Sequence, residues 1–278
     1  MRVVTLNLWG DHVPLAARLD AAAAGLAALA PDVVLLQEVR QGDGLPNTAH
    51  ALAERLGGWA VAYACATAAP AGTWGPASGA GEEGLAIMAR HPLDDVRHVE
   101  LPEARAAERR MLLSARVTIA GSVAAVHTTH LHWRLGDGVA RERQVVALDA
   151  AARAYGGEVR IVGGDFNAGP DTDELRFLTG QHTLDGQRAV WQDAFATVRP
   201  GEPGFTWARR NPQTAELAHH ALDRRIDFIL VSPERRGGVG RVEDARVVLD
   251  EPGATGVHAS DHFGVVADVA LTPATGGA

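Results

Sequence analysis

The feature that most constrains the fold is a short apolar run that ends abruptly in polar residues. In its clearest form, Val159 to Val162 leads into Gly163-Gly164-Asp165-Phe166-Asn167, and Pro170 closes the segment. The run predicts a buried strand, and the glycines predict a tight turn that leaves an acid and an amide at the strand tip. Asp165 and Asn167 are two residues apart, so on an extended chain they point the same way. This pair could hold a hard cation or steer a water molecule, or it could be an Asx turn that ends a strand.

The same pattern recurs elsewhere in the chain. Residues 2–8 predict a strand that ends at Asn7, residues 14–30 a helix, and residues 33–36 a second strand that ends at Gln37-Glu38. In open α/β layers, sites gather at the carboxyl ends of strands, so we expect these polar side chains to meet. Further polar positions on predicted strands or at their ends are Thr129-His130, Asp227 and Asp261-His262. Buried carboxylates have to be paired, hydrogen-bonded or bound to metal, which favours a single shared site.

The remaining elements favour a mixed architecture. Gly121 predicts a hairpin, and strands joined by short connections replace the earlier strand–helix alternation. The other predicted strands are 59–66, 85–89, 96–101, 111–119, 122–131, 225–231, 241–249 and 263–271; the other predicted helices are 48–56, 141–155 and 173–178, the last capped by Thr172. We expect a surface loop at 68–81 that contains Trp74, and irregular chain at 180–225. This pattern predicts an α/β fold: a two-sheet mixed β-sandwich flanked by helices. We expect one domain over residues 1–271 and a frayed tail at 272–278.

Composition excludes several classes of protein. All 26 basic residues are Arg, so Schiff-base and P-loop lysines are excluded. The single Cys65 excludes a disulfide framework and a cysteine-rich metal site. The net charge of -8 disfavours nucleic acid as a partner, because nucleic-acid binders usually carry a basic footprint. No apolar run approaches the length of a membrane span, and no leader is visible, so we expect a cytoplasmic monomer.

The candidate residues predict metal-assisted chemistry. Nearly all offer oxygen ligands, which suit Mg²⁺ or Mn²⁺ better than Zn²⁺, and Glu38 is the first choice of ligand. His130 and His262 each need a partner that orients the ring, and Asp227 could serve one of them. A carboxylate, an imidazole and a bound water form a general-base arrangement, while a cation offsets charge on phosphate oxygens.

At this point the chain resembles the endonuclease/exonuclease/phosphatase superfamily, the DNase I-like metal-dependent phosphoesterases. The matching segments occur in the family's order and span nearly the whole chain. They are Thr5-Leu6-Asn7-Leu8-Trp9, Leu36-Gln37-Glu38-Val39, Glu83-Gly84-Leu85-Ala86-Ile87, Thr129-His130-Leu131, Gly164-Asp165-Phe166-Asn167, Arg225-Ile226-Asp227-Phe228 and Ser260-Asp261-His262. The resemblance implies a DNase I-like four-layer fold of two mixed sheets between helices.

The resemblance also implies roles for individual residues. Glu38 would bind Mg²⁺ (or Mn²⁺), helped by Asn7 and Asp261. Asp165 would orient or deprotonate the attacking water, and Asn167 would hold a phosphate oxygen. The remaining implied roles are base or phosphate-binding chemistry for His262, oriented by Asp227; stabilisation of the phosphorane or of the leaving group for His130, partnered by Glu83; and a phosphate contact for Arg110.

These expectations define a phosphoester hydrolase. Its substrate would be a phosphorylated small molecule or a lipid-type phosphate, either a diester or a monoester. The alternative within the same fold is a nuclease that cuts DNA or RNA, which the acidic net charge and the absence of Lys disfavour. The alternative from another class is a non-catalytic binding module, against which the presence of Glu38, Asp165 and His262 argues.

Overall fold

Two six-stranded mixed sheets form the centre of the protein. The structure is a computed structural model that describes residues 1–73, 79–103, 109–214 and 223–273. Its elements are β1 (Arg2–Asn7), α1 (Leu15–Leu29), β2 (Val33–Gly42), α2 (Thr48–Arg55), β3 (Ala60–Ala69), β4 (Gly81–Ala89), β5 (Leu93–Glu100), β6 (Met111–Ile119), β7 (Ser122–His130), α3 (Gly138–Tyr155), β8 (Val159–Asp165), α4 (Asp173–Leu178), β9 (Gln192–Asp193), α5 (Ala194–Val198), β10 (Asp227–Val231), β11 (Val242–Val248) and β12 (Gly264–Val269).

The two sheets are built in the same way. The first has the strand order β11-β12-β1-β2-β4-β3, and the second has the order β5-β6-β7-β8-β10-β9. Strand β1 pairs with β2, and β7 with β8, in parallel; the other described pairs are antiparallel. The predicted fold class, two mixed sheets flanked by helices, is confirmed. No helix among the described residues has the length and apolar character needed to cross a bilayer.

Side chains alternate between a core that lies between the sheets and two cores that lie under the helices. In β1, Val3 packs into the inter-sheet core, whereas Val4 and Leu6 pack against α1 and α2. On the other side, α3 and α4 cover the outer face of the second sheet. Each fully buried Val or Leu stabilises the fold by about 1.5–3 kcal/mol. This alternation has a period of two, so it also determines which polar residues face the space between the sheets.

The alternation brings the candidate residues to one end of the inter-sheet core. Ile161 in β8 and Ile229 in β10 belong to that core, and Asp165 and Asp227 have the same parity along their strands. Just below them, Gln37 Nε2 donates to Thr128 Oγ1 at 2.8 Å, which joins the two sheets through buried polar groups. The apolar core therefore becomes polar as it approaches this end.

The turn predicted at Gly163 and Gly164 is wrong. Both glycines lie within β8, where they pair with β10. A Cβ at Gly163 would lie 2.6 Å from Leu35 Cδ1, and a Cβ at Gly164 would lie 2.1 Å from the backbone oxygen of Thr129. The two glycines therefore allow Leu35 and the Thr129 backbone to pack closely against β8. The turn begins only after Asp165.

Other boundaries also differ from the prediction. Strand β2 does not end at Glu38 but continues to Gly42 through an irregularity in its pairing with β4 between Leu36 and Val39. Strands β3 and β4 extend into the loop predicted at 68–81, and β9 and α5 interrupt the stretch predicted as irregular. Thr172 occupies the N-cap position of α4, as predicted, but its hydroxyl donates to the Gly169 carbonyl oxygen and accepts no N–H of the first turn. Trp74 and the tail from residue 274 lie outside the described residues.

Candidate active site

The buried carboxylate of Asp165 lies at the centre of the polar cluster. Its side chain is 2% exposed. Its Oδ2 atom lies 3.2 Å from Asn7 Nδ2, 3.5 Å from His130 Nε2 and 3.8 Å from His262 Nε2. Its Oδ1 atom accepts a 2.8 Å hydrogen bond from the backbone N–H of Asn167. One carboxylate therefore joins residues that four separate sequence segments supply.

Asn167 follows β8 in a left-handed conformation. Its φ is 50°, a region that asparagine tolerates better than most residues. Its backbone N–H is bound to Asp165, and its Nδ2 donates to the Leu131 carbonyl oxygen at 3.1 Å. The hydrogen bond of an Asx turn is therefore present, and Asn167 also lines a cleft, so the functional role of the pair stays a prediction that the turn does not oppose.

His262 is held by Asp227, as the sequence predicted. Its Nδ1 lies 2.9 Å from Asp227 Oδ2. Asp227 is fixed in turn by Thr206, whose Oγ1 accepts the backbone N–H of Asp227 at 3.1 Å and whose carbonyl accepts the N–H of Phe263 at 2.6 Å. Thr206 thus ties together the two segments that carry this pair. Sequence reasoning missed it, because Thr206 lies in the stretch at 180–225 that was predicted to be irregular chain.

The electrostatic environment divides the two histidines. Burial alone would lower the pKa of His262, but the carboxylates of Asp227, Asp261 and Asp165 raise it well above its usual value. Burial lowers the pKa of His130 well below its usual value, and Arg110 and His262 lower it further. At neutral pH His262 is therefore a cation and His130 is neutral.

The pKa of Asp165 is higher than that of an ordinary surface carboxyl group. Burial raises its pKa to about 7, and the carboxylates of Asp227 and Glu38 add to the effect, while His262 and the Asn167 N–H oppose it. A base whose pKa lies near the working pH is suited to accepting a proton.

Glu38 lies on the other side of Asn7, at the irregularity in β2. Its φ of 51° is unusual for a residue other than glycine and marks a backbone that its surroundings hold in place. Asn7 Nδ2 donates to Glu38 Oε1 at 2.9 Å, while Asn7 Oδ1 accepts the backbone N–H of Trp9 at 2.9 Å. The Asn7 carbonyl is therefore turned away from Glu38. In this arrangement Asn7 Nδ2 contacts both Glu38 and Asp165, and the cation-ligand role that the resemblance implies for Asn7 stays a prediction.

The donor set on this side fits a hard cation. Asp261 is buried, and its carboxylate accepts from Ser260 Oγ at 3.2 Å. Burial raises the pKa of Asp261 to about 6, His262 lowers it, and the charge of Glu38 raises it again, which places the Glu38 and Asp261 carboxylates close enough to repel each other. A cation would offset that repulsion, and two carboxylates match the oxygen ligands that Mg²⁺ accepts.

A second grouping also has the geometry for a metal ion. Asp165, Asp227 and His262 each offer a ligand atom, and these atoms lie within 4.8 Å of one another. The His262 Nδ1 already contacts Asp227 at 2.9 Å, so Nε2 is the ring nitrogen left to face a metal ion.

These residues open into a cleft of about 330 Å³. Arg110 and Glu83 line it, as does Trp133 at the edge of the loop after β7. Arg110 lies close enough to His130 to affect its pKa, whereas the predicted pairing of Glu83 with His130 stays a prediction. The predicted site residues that line the cleft are Glu38, Glu83, Arg110, His130, Asp165, Asn167 and His262; Asn7, Asp227 and Asp261 are buried around them.

Comparison with known proteins agrees with this geometry. The profile of the Endonuclease/Exonuclease/phosphatase family matches residues 4–262, and the chain belongs to that family. Members of the family are generally metal-dependent phosphoester hydrolases. A sequence search among curated proteins gave no significant match.

Several solved structures share the fold. An endonuclease/exonuclease/phosphatase from Beutenbergia cavernae DSM 12333 is 24% identical with a TM-score of 0.73, over 98% of this chain and 71% of that chain. D. rerio TDP2, complexed with single strand DNA product, is 20% identical with a TM-score of 0.72, over 96% of this chain and 97% of that chain. The human Nocturnin catalytic domain, with a bound sulfate anion, is 21% identical with a TM-score of 0.70, over 98% of this chain and 93% of that chain.

Proposed function

We propose that this protein hydrolyses phosphoester bonds with the help of a divalent cation, and that Asp165 activates the attacking water. The observation that carries the proposal is the convergence on Asp165 Oδ2, where one amide nitrogen and two imidazole nitrogens lie within 3.8 Å of a buried carboxylate oxygen. An acid that only stabilised the fold would not need to lie at the wall of a cleft with its pKa raised.

Asp165 is the base in this scheme. Its Oδ1 is held by the Asn167 N–H, so Oδ2 is the atom that accepts the proton of the water. Asn7 Nδ2, at 3.2 Å, orients that oxygen. The proton leaves the water as its oxygen approaches phosphorus, and the raised pKa of Asp165 makes the transfer favourable near neutral pH.

The histidines and Asn167 bind the phosphoryl group. His262 is kept cationic by Asp227 and supplies a charged N–H to a phosphate oxygen, where negative charge grows in the transition state. His130 is neutral and contributes a hydrogen bond at the leaving-group side. Asn167 and Arg110 complete the anion-binding wall of the cleft.

The carboxylates of Glu38 and Asp261 would hold the cation. Mg²⁺ or Mn²⁺ would supply Lewis-acid stabilisation of charge on the phosphate oxygens. Replacing Glu38 with Ala should therefore shift the Mg²⁺ titration of activity to higher concentration, and an unchanged titration would contradict the assignment.

The substrate we favour is a small phosphodiester or phosphomonoester, including a lipid-type phosphate. A net charge of -8 and the absence of Lys weaken binding to a long polyanion. The cleft volume of about 330 Å³ accommodates a small group, at the lower end of ordinary ligand pockets.

The second candidate is a nuclease. It is favoured by Arg109 and Arg110 on the cleft wall and by the likeness to D. rerio TDP2, solved with a single strand DNA product. Incubation with plasmid and single-stranded DNA under Mg²⁺ separates the two candidates, because rapid cutting would reverse our preference.

The experiment that tests the proposal is a panel of phosphomonoesters, phosphodiesters, phospholipids and nucleic acids, each assayed with Mg²⁺, with Mn²⁺ and with EDTA. We expect cation-dependent release of phosphate or alcohol from at least one small substrate. Turnover that survives EDTA would contradict the cation role, and a complete absence of turnover would contradict the proposed hydrolysis.

A further inference from the structure

Arg18, on α1, is buried although no motif of the site contains it. Its side chain is 1% exposed. All five N–H groups of its guanidinium donate to backbone carbonyls. Nε donates to His12 at 2.9 Å, Nη1 to Leu8 at 2.6 Å and to Ala259 at 3.2 Å, and Nη2 to Trp9 at 3.3 Å and to Gly10 at 3.1 Å. Arginine alone offers five donors in one rigid fork, so this arrangement is specific to it.

Four of the five carbonyls belong to the loop that follows β1. Trp9 and Gly10 are both left-handed in that loop, with φ of 55° and 51°. A bulky residue adopts such a conformation only where its surroundings hold it. The Arg18 guanidinium lies 5.0 Å from the centroid of the Trp9 ring, which also stacks on the ring of His12 at 4.4 Å. Arg18 therefore holds the loop through both its backbone and the Trp9 ring.

This loop determines the orientation of Asn7. The Trp9 N–H donates to Asn7 Oδ1, so the Asn7 Nδ2 points at Glu38 Oε1 and Asp165 Oδ2. If the loop relaxed, the Trp9 N–H would move, and the Asn7 amide would lose the contact that fixes which of its ends faces the carboxylates.

The fifth carbonyl is that of Ala259, in the segment that carries Asp261. Ala259 lies two residues before Asp261, and Ser260 between them donates to the Asp261 carboxylate. Burial lowers the pKa of Arg18 to about 10, while Asp261 and Glu38 raise it, so the guanidinium is a cation at neutral pH. The charged Arg18 side chain thus contacts both the loop that follows Asn7 and the segment that leads into Asp261.

We propose that Arg18 is a positioning residue for the divalent-cation site: its guanidinium joins the loop after β1 to the segment before Asp261, and so fixes the spacing of Glu38, Asn7 and Asp261. This inference rests on the proposed function, because it assumes that Glu38 and Asp261 bind a cation. Residues that orient metal ligands typically change metal affinity or activity about 10- to 100-fold when they are replaced.

The test is Mn²⁺ binding to the purified protein without substrate, measured by calorimetry and by electron paramagnetic resonance, for wild type, Arg18→Lys and Arg18→Met. Lys keeps the charge but loses the fork, whereas Met keeps the stem and loses both. We expect Mn²⁺ affinity to fall about 10-fold or more in Arg18→Lys and further in Arg18→Met. If Arg18→Met does not fold, the Arg18→Lys variant decides the result.

Arg141→Lys is the matched control. Arg141 is also buried, at 5% exposure, and it donates to the carbonyls of His132 and Arg134 and to Glu174, away from the cation side. We expect this variant to lose thermal stability but to keep Mn²⁺ affinity within about twofold of wild type. Folded Arg18→Lys with wild-type Mn²⁺ affinity, or an equal loss of affinity in both variants, would overturn the inference.

The two proposals fail in different ways. A wild-type protein that binds Mn²⁺ in an Arg18-dependent manner but hydrolyses no phosphoester supports the positioning role and contradicts the proposed function. A wild-type protein that binds no Mn²⁺ contradicts both.

Discussion

Replacing Gly163 with alanine should destabilise the fold directly beneath the active site. The new Cβ would lie 2.6 Å from Leu35 Cδ1 and 3.2 Å from Thr5 Cβ. Carbon atoms in favourable contact are about 3.5–4.0 Å apart, so the methyl group enters Leu35 by roughly 1 Å. Leu35 is fully buried in the inter-sheet core and can move only by displacing its neighbours.

The expected loss is about 1–3 kcal/mol in the free energy of unfolding, as for other overpacked cores. For a chain of this length, this corresponds to about 2 °C of Tm per kcal/mol. Leu35→Ala alone should cost about 2–5 kcal/mol because it leaves a cavity. In the double variant the methyl group added by Gly163→Ala would occupy part of that cavity, so the two single losses should sum to at least about 1 kcal/mol more than the loss observed in the double variant.

The assay is urea denaturation followed by circular dichroism, for both single variants and the double variant. Gly136→Ala is the control, because a Cβ there meets nothing within 4 Å, and its stability should match that of wild type. The reasoning is refuted if Gly163→Ala is as stable as wild type, or if its effect and that of Leu35→Ala simply add.

Two further predictions concern individual side chains. His127 is buried, and its Nδ1 lies 2.7 Å from Ser114 Oγ. Burial lowers the pKa of this imidazole to about 3. Between pH 6.5 and 3 the unfolded chain therefore binds a proton that the folded protein does not. The free energy of unfolding therefore falls as the pH is lowered through this window, by about 1.4 kcal/mol per pH unit from this group. His127→Gln should remove this dependence, as measured by urea titrations at pH 6 and pH 5. The same change in unfolding free energy with pH in both proteins would contradict the prediction. Asp227→Asn should leave the fold intact but lower kcat about 10-fold or more, because His262 loses both its orientation and the charge that keeps it cationic. Unchanged kcat with a normal circular dichroism spectrum would show that the pair is structural.

The positions of several site residues could be predicted from the sequence pattern in their own segments. The apolar runs were enough to predict that Asp165 ends a buried strand and that Asp227 lies on another, and the structure shows that the apolar residues of the same parity pack between the sheets. The need of a buried imidazole for a partner indicated that Asp227 orients one of the two histidines, and the family resemblance implied that this one is His262.

Features that depend on chain distant in sequence could not be predicted. Gly163 and Gly164 suggested a turn, because what they accommodate, Leu35 and the Thr129 backbone, is unrelated in sequence. Strand β2 was predicted to end at Glu38, since only the pairing with β4 reveals that the strand continues past the irregularity.

Arg18 and Thr206 were missed for a related reason. Their partners are backbone groups, and a backbone N–H or carbonyl leaves no residue type in the sequence that could indicate the contact. The ligand role of Asn7 stays a prediction, because residue type alone cannot tell which end of an amide faces the carboxylates. That orientation depends on the N–H of Trp9.

The most direct test of the central claim is hydrolysis of bis-p-nitrophenyl phosphate with Mg²⁺ in ¹⁸O-labelled water, with Asp165→Asn compared with Asp149→Asn. Asp149 is a buried acid outside the cleft, bonded to Trp191 Nε1 at 2.9 Å. We expect wild type and Asp149→Asn to release nitrophenol and place the label on phosphorus, and Asp165→Asn to lose turnover while it stays folded. Full activity in Asp165→Asn, or label in the nitrophenol, would contradict attack on phosphorus by a water that Asp165 activates.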